Sequence, residues 1–135
     1  MLTLASGVRE AMVAHARQGA PEEVVGVLGG ERGDRSTATA IERATNAADQ
    51  PRTNYEIGPP ELLELVDGIE ERGLDVVGFY HSHPAGPAAP SETDRRQATW
   101  VDHSYVIVSL GGETPEVGAW RWTGERFERE EIRRP

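Results

Sequence analysis

Gly78-Phe79-Tyr80-His81-Ser82-His83-Pro84, resumed at Pro90-Ser91-Glu92-Thr93-Asp94, is the stretch around which the chain is organised. It reads as the end of a buried strand, a short loop and the start of a helix. Leu74, Val76, Val77, Phe79 and Tyr80 supply a β-prone run that Asp75 and Gly78 interrupt. Strand side chains alternate between faces, so His81 and His83, kept extended, project from the same face. Pro84 supports this, because the residue before a proline is driven out of the α region. Ser91, directly after Pro90, suits a helix N-cap, with Asp94 at the third helical position. A Glu there would reach back and close a capping box; Asp is a methylene shorter, so its carboxylate is expected to be freer for another task. A turn folding the helix start toward the strand end would add one carboxylate to two imidazoles. Three protein ligands with an open fourth position make a catalytic rather than a structural zinc site.

Composition bounds the remaining choices. At 135 residues the chain is expected to form one domain over 1–135, large enough for a real core. No apolar run approaches the roughly 18 residues of a membrane span. The first six residues lack a basic, then apolar, leader pattern, so a cytoplasmic protein is expected. With no cysteine there is neither a disulfide framework nor a thiolate metal site. A net charge of −9, from 23 acidic against 14 basic residues, argues against a nucleic-acid or anionic-membrane surface.

Taken whole, His81-Ser82-His83-Pro84, six residues, then Ser91-x-x-Asp94 resembles the signature of the JAMM (MPN-plus) metalloprotease family, His-x-His-Pro-x6-Ser-x-x-Asp. The resemblance implies an α/β fold, a single JAMM/MPN-like domain with a mixed, curved sheet packed between helices. It implies one Zn2+ held by His81, His83 and Asp94, with Ser91 stabilising the tetrahedral intermediate. Other His-x-His folds fit worse. Pro84-Ala85-Gly86 stands where a metallo-β-lactamase-like site needs Asp and His, and a cupin needs a Glu before Glu92. An amidohydrolase barrel needs about 250 residues.

Upstream, Pro21 to Gly30 reads as a mostly buried strand entered through Glu22 and Glu23. Spacing alone does not choose between these carboxylates as a general base; the family pattern Pro-x-Glu-x-x-Gly selects Glu23. Alternation would send the two to opposite faces, with Val25 and Val27 continuing the Glu23 face. The substrates implied are ubiquitin-like modifier proteins joined through a Gly-Gly tail to a lysine. A short, cysteine-free chain most resembles the archaeal branch that removes such modifiers (desampylation). Two alternatives stand beside it: a peptidase trimming amino-acid adducts from a Gly-Gly-ended sulfur carrier, and a metal-free MPN scaffold. Self-association into a homodimer stays open. All 14 basic residues are Arg; an Arg-favouring genome and avoidance of lysine by an enzyme of lysine conjugates both account for this.

The other elements follow from local signals. Ser6 is expected to cap a helix to about Gln18, with Val8, Ala11, Met12 and His15 on one face. Ser36 to Ala44 should pair with the preceding strand as a hairpin. Thr45 to Asn54 reads as a polar surface loop, and Tyr55-Glu56-Ile57 as a short extended piece. Pro59-Pro60 should start a helix to about Arg72 that buries Leu62, Leu63, Val66 and Ile69. The Ser91 helix should run to about Thr99. Strands are expected over Tyr105–Leu110, Val117–Trp122 and, as a final edge strand, Arg126–Arg133. His103 reads as a loop histidine, and the three tryptophans as core or groove wall.

Overall fold

The run Asp75–His83 forms one strand in the middle of an eight-stranded sheet. The computed structural model describes residues 1–135. In chain order the elements are β1 (Leu2–Leu4), α1 (Val8–Gly19), β2 (Val25–Glu31), β3 (Ser36–Ala44), α2 (Pro59–Glu71), β4 (Asp75–His83), α3 (Glu92–Gln97), β5 (Ser104–Ser109), β6 (Glu116–Trp122), β7 (Phe127–Glu130) and β8 (Ile132–Arg133). The sheet order is β7-β6-β5-β4-β2-β3-β1-β8, with β4 antiparallel to β2 and parallel to β5. The expected β2–β3 hairpin is present.

A register shift decides which way the histidines face. Leu28 pairs with Gly78 while Gly29 pairs with Val76, so β4 carries an extra residue at Val77. Such a bulge resets the alternation. Val77 and Tyr80 therefore pack with α1 on one side, while Val76 and Phe79 pack beneath α2 on the other. Continuing that phase, His81 and His83 share the Phe79 face and Ser82 the Tyr80 face. Gly78 permits the close pairing, since a Cβ there would collide with the Ser104 carbonyl.

The mixed sheet is packed between helices, as expected, with differences at the edges. Ser6 does not cap α1: the N-cap is Gly7, left-handed at φ 86° and without a side-chain cap bond. A missing cap costs about 1 kcal/mol. Burial of Val8, Met12 and Val13 against the sheet, at about 1.5–3 kcal/mol each, outweighs it. In α2, Ile69 is buried, but Leu63 is 62% exposed, on the outer face of the helix. The last strand is not a simple edge. β7 pairs with β6 and β8 with β1, so one segment reaches both ends of the sheet order and curves the sheet toward closure. Glu130, buried where that segment bends, accepts from Ser104 Oγ at 2.6 Å and pairs with Arg121 at 3.1 Å. No helix is long and apolar enough to cross a membrane.

His15 is the packed boundary histidine the sequence suggests. Its Nδ1 lies 2.7 Å from the Tyr80 hydroxyl, in space that Gly26 leaves open for the Tyr80 ring. Burial, helped by the Arg43 charge, lowers the His15 pKa from 6.5 to about 4. A depressed folded-state pKa gives stability that is present above pH 6.5 and lost as pH falls through 4. His15→Gln keeps a hydrogen-bonding group without the titration. Urea midpoints should therefore fall less between pH 7 and pH 4 in this variant than in the parent; identical falls would show that His15 does not titrate with folding.

Candidate active site

Each side chain of the motif is placed by a different local device. The sheet holds His81 and His83 between neighbours: His81 pairs with Val25 on β2 and Ile107 on β5, and His83 with Ser109. Asp94 is placed by the start of α3. Ser91 Oγ accepts from Asp94 N at 3.0 Å, and Asp94 Oδ2 accepts from Ser91 N at 2.9 Å. The capping box thus closes with Asp. The shorter side chain does reach back, contrary to the expectation that it would be left free, and the same oxygen also faces the histidines.

Three donor atoms meet there. His81 Nε2 and His83 Nε2 are 3.2 Å apart, and Asp94 Oδ2 lies 3.2 Å from the first and 3.1 Å from the second. Ligands at about 2.0–2.1 Å around a tetrahedral zinc stand about 3.3–3.4 Å from one another. The triangle is close to that spacing. His83 Nδ1 donates to Pro87 O at 2.7 Å, and because a carbonyl only accepts, that nitrogen carries the proton. In the neutral ring, Nε2 then presents a lone pair to the carboxylate.

Electrostatics expresses the same crowding of lone pairs. Burial pushes His81 down, against its Asp94 contact. For His83 burial works downward too, but the Asp94 carboxylate, the Pro87 carbonyl and Glu23 outweigh it and raise the pKa. For Asp94, burial works upward, yet its contacts with His81 and His83 and the hydrogen bond from Ser91 N hold its carboxyl far below the usual range. A proton between His83 and Asp94 serves two of the three atoms; a divalent cation serves all three. The donor set fits zinc: two imidazoles and a carboxylate, with room for a fourth ligand.

Glu23 also stands at the histidines. Its donor atom and those of His81 and His83 all lie within 4.8 Å of one another. The device that brings it there is Ser82, the middle residue of the His-x-His. Val24 N donates to Ser82 Oγ at 2.8 Å and Ser82 N to Val24 O at 3.0 Å. Glu23 is 7% exposed, and its Oε1 has no hydrogen-bond partner in the protein. Burial pushes its pKa up to about 7, partly countered by His83 and reinforced by Asp94. A carboxyl poised there exchanges protons near neutral pH. Glu22 is exposed, so the two carboxylates are separated as expected, but for a different reason: both residues precede β2, so the chain entry and not strand alternation separates them.

An open cleft of about 410 Å³ gives access to the centre, lined by Glu23, His83, Ser91, Arg52, Thr53 and the 84–90 turn. Ser91 Oγ is engaged only as an acceptor, leaving its proton free to donate into the cleft. Tyr55 was not legible from the sequence as part of the site. Tyr55 stacks on His81 with ring centres 4.2 Å apart and planes at 23°. His103 stays in a loop beside Trp100, bonded to Val101 O, outside the site.

The chain has relatives in sequence and in fold. The model of prokaryotic homologues of the JAB domain matches residues 5–123. A desampylase of Haloferax volcanii is 43% identical over 130 residues, 93% of this chain and 91% of that protein. The CysO-cysteine peptidase of Mycobacterium bovis is 39% identical over 109 residues, 81% of this chain and 73% of that one. The solution structure of a Desulfitobacterium hafniense protein superposes with a TM-score of 0.90 at 35% identity, covering 100% of this chain and 93% of that one. The chain belongs to the JAB-domain family in its prokaryotic form, the family whose JAMM signature runs from His81 to Asp94.

Proposed function

We propose that this protein is a zinc-dependent isopeptidase of the cytoplasm that hydrolyses the bond between the Gly-Gly tail of a small ubiquitin-like modifier and a lysine amine. The observation that carries the reading is the meeting of His81, His83 and Asp94 donor atoms within 3.2 Å, beside an unpartnered buried carboxylate in an open cleft. The desampylase relative, alike over nearly its whole length, supports the substrate class. His81, His83 and Asp94 would hold the ion, which when bound supplies Lewis acidity toward the scissile carbonyl and toward water.

The chain's own groups supply the proton traffic. Glu23 takes a proton from the attacking water and gives it to the leaving lysine amine, a task suited to a carboxyl buried to a pKa of about 7. Ser91 donates from its free hydroxyl proton to the oxygen that becomes negative. The Pro87 carbonyl keeps the His83 proton on Nδ1, and Tyr55 covers the His81 ring. A second reading, a peptidase removing an amino-acid adduct from a sulfur carrier, draws on the CysO-cysteine peptidase relative. The intact donor set with Glu23 speaks against a metal-free scaffold. Zinc-loaded protein incubated with Gly-Gly–lysine conjugates and with carrier adducts, each with and without chelator, separates the three. The first reading expects chelator-sensitive release of modifier from the lysine conjugate; cleavage of the adduct alone supports the second, and no cleavage with no bound metal the third.

Removing a donor should remove metal and turnover together. Asp94→Ala leaves two imidazoles and also opens the cap, so zinc content should fall well below one per chain. Ser91→Ala should retain zinc while kcat drops about 10²–10³-fold, the cost of one oxyanion donor. Full zinc in purified Asp94→Ala would contradict the ligand role, and an unchanged kcat would reduce Ser91 to a cap.

The two adjacent carboxylates should separate cleanly. Glu23→Gln preserves shape but accepts no proton, so zinc should remain and kcat should fall at least about 10²-fold. Glu22→Gln, facing solvent, should leave kcat within about twofold. The reverse pattern would move the base by one residue.

A further inference from the structure

The backbone of Glu23 is held from outside the sheet. β2 begins only at Val25, so no strand ladder holds the Glu23 peptide groups. Both are taken by the segment between β3 and α2. Glu23 N donates to Pro51 O at 2.7 Å, and Glu23 O accepts from Asn46 Nδ2 at 2.8 Å. Together with the Ser82 clamp on Val24, these two bonds fix the backbone that carries the Glu23 carboxylate.

Asn46 sets that conformation. A primary amide has two donor hydrogens and two acceptor lone pairs. Nδ2 donates to Glu23 O and, at 2.9 Å, to Asn54 O. Oδ1 accepts from Ala48 N at 3.0 Å and from Glu56 N at 3.1 Å. All four valences are used on backbone groups, and Ala47 N to Glu56 O at 2.8 Å closes the loop beside them. Three of the four bonds shape the loop; the fourth leaves it and ends on Glu23. A group that only shaped the loop would have no use for that fourth bond.

We infer that Asn46 is a positioning residue for hydrolysis, fixing the 45–56 loop against Glu23 so that the carboxylate is held at the histidine donors. Asn46 touches neither substrate nor metal donors and acts through Glu23. The role rests on the proposed hydrolysis with Glu23 as base. Arg52 and Thr53, which line the cleft, belong to the same tied loop. A second tie, Thr45 N and Oγ1 to the Glu61 carboxylate at 2.8 and 3.2 Å, anchors the loop mouth to α2 without touching Glu23. That separation supplies the control.

Asn46→Asp keeps an oxygen for Ala48 N and Glu56 N but loses both donors and sets a charge against two carbonyls. Asn46→Ser loses the reach to Glu23 O without adding charge, and is measured alongside in case the aspartate variant does not fold. The readouts are zinc content, thermal melting, and kcat and KM on a Gly-Gly–lysine conjugate, well below the melting range. Misplacing a catalytic group by about 1 Å can cost about 10²-fold. Both variants should keep one zinc per chain and a KM within about twofold, while kcat falls about 10- to 100-fold. Glu61→Ala should hold kcat within about twofold. An unchanged kcat in the Asn46 variants, a change confined to KM, loss of zinc, or an equal fall in Glu61→Ala each overturns the inference. Absence of any turnover by the parent protein would instead overturn the proposed activity, which distinguishes the two failures.

Discussion

Asp94 Oδ2 is shared between two structures that would otherwise be independent. It accepts from Ser91 N at the start of α3, and it stands 3.1–3.2 Å from two imidazole nitrogens at the end of β4. The capping box fixes its rotamer, and the two strands flanking β4 fix its partners. A buried carboxylate facing two buried imidazoles is costly unless a positive charge lies among them. The cation-sized triangle is therefore a constraint on the whole fold: the β4 bulge, the turn from Pro84 to Pro90 and the helix start must all agree to about an ångström.

Glu23 answers a different requirement. A proton-transfer group, the role proposed for Glu23, must stand close to the centre yet remain outside the ligand set, with a pKa near neutrality. Ser82 clamps Val24 on one side and the 45–58 loop grips the Glu23 peptide on the other. The residue between the two histidines thus links their imidazoles to the Glu23 carboxylate through the sheet. His81 and His83 use one face of β4, and Ser82 uses the other for this purpose.

The sequence carried the parts that are local. β4, the His-x-His face and the Ser91 cap follow from periodicity and from two prolines, and each lies within a few residues of its cause. The separation of Glu22 from Glu23 was anticipated, but its expected origin in strand alternation is corrected, because both residues precede the ladder that begins at Val25. Loop 45–58 looked like ordinary polar surface. Its meaning lies in bonds to Glu23 and stacking on His81, across sequence distances that composition does not encode. The bend at Glu130 was hidden likewise: an alternating run shows a strand, but not that its halves pair with opposite edges.

In the proposed ligand set Asp94, not Glu23, joins His81 and His83. Glu23, His81 and His83 donor atoms also lie close enough together to hold an ion, so the two arrangements compete in the same volume. Diffraction from zinc-loaded crystals, with anomalous data on both sides of the zinc edge, places the ion directly. One peak is expected, bonded to His81 Nε2, His83 Nε2 and Asp94 Oδ2, with the Glu23 carboxylate beyond bonding distance. A peak bonded to Glu23 while Asp94 stays only in its capping box would contradict it.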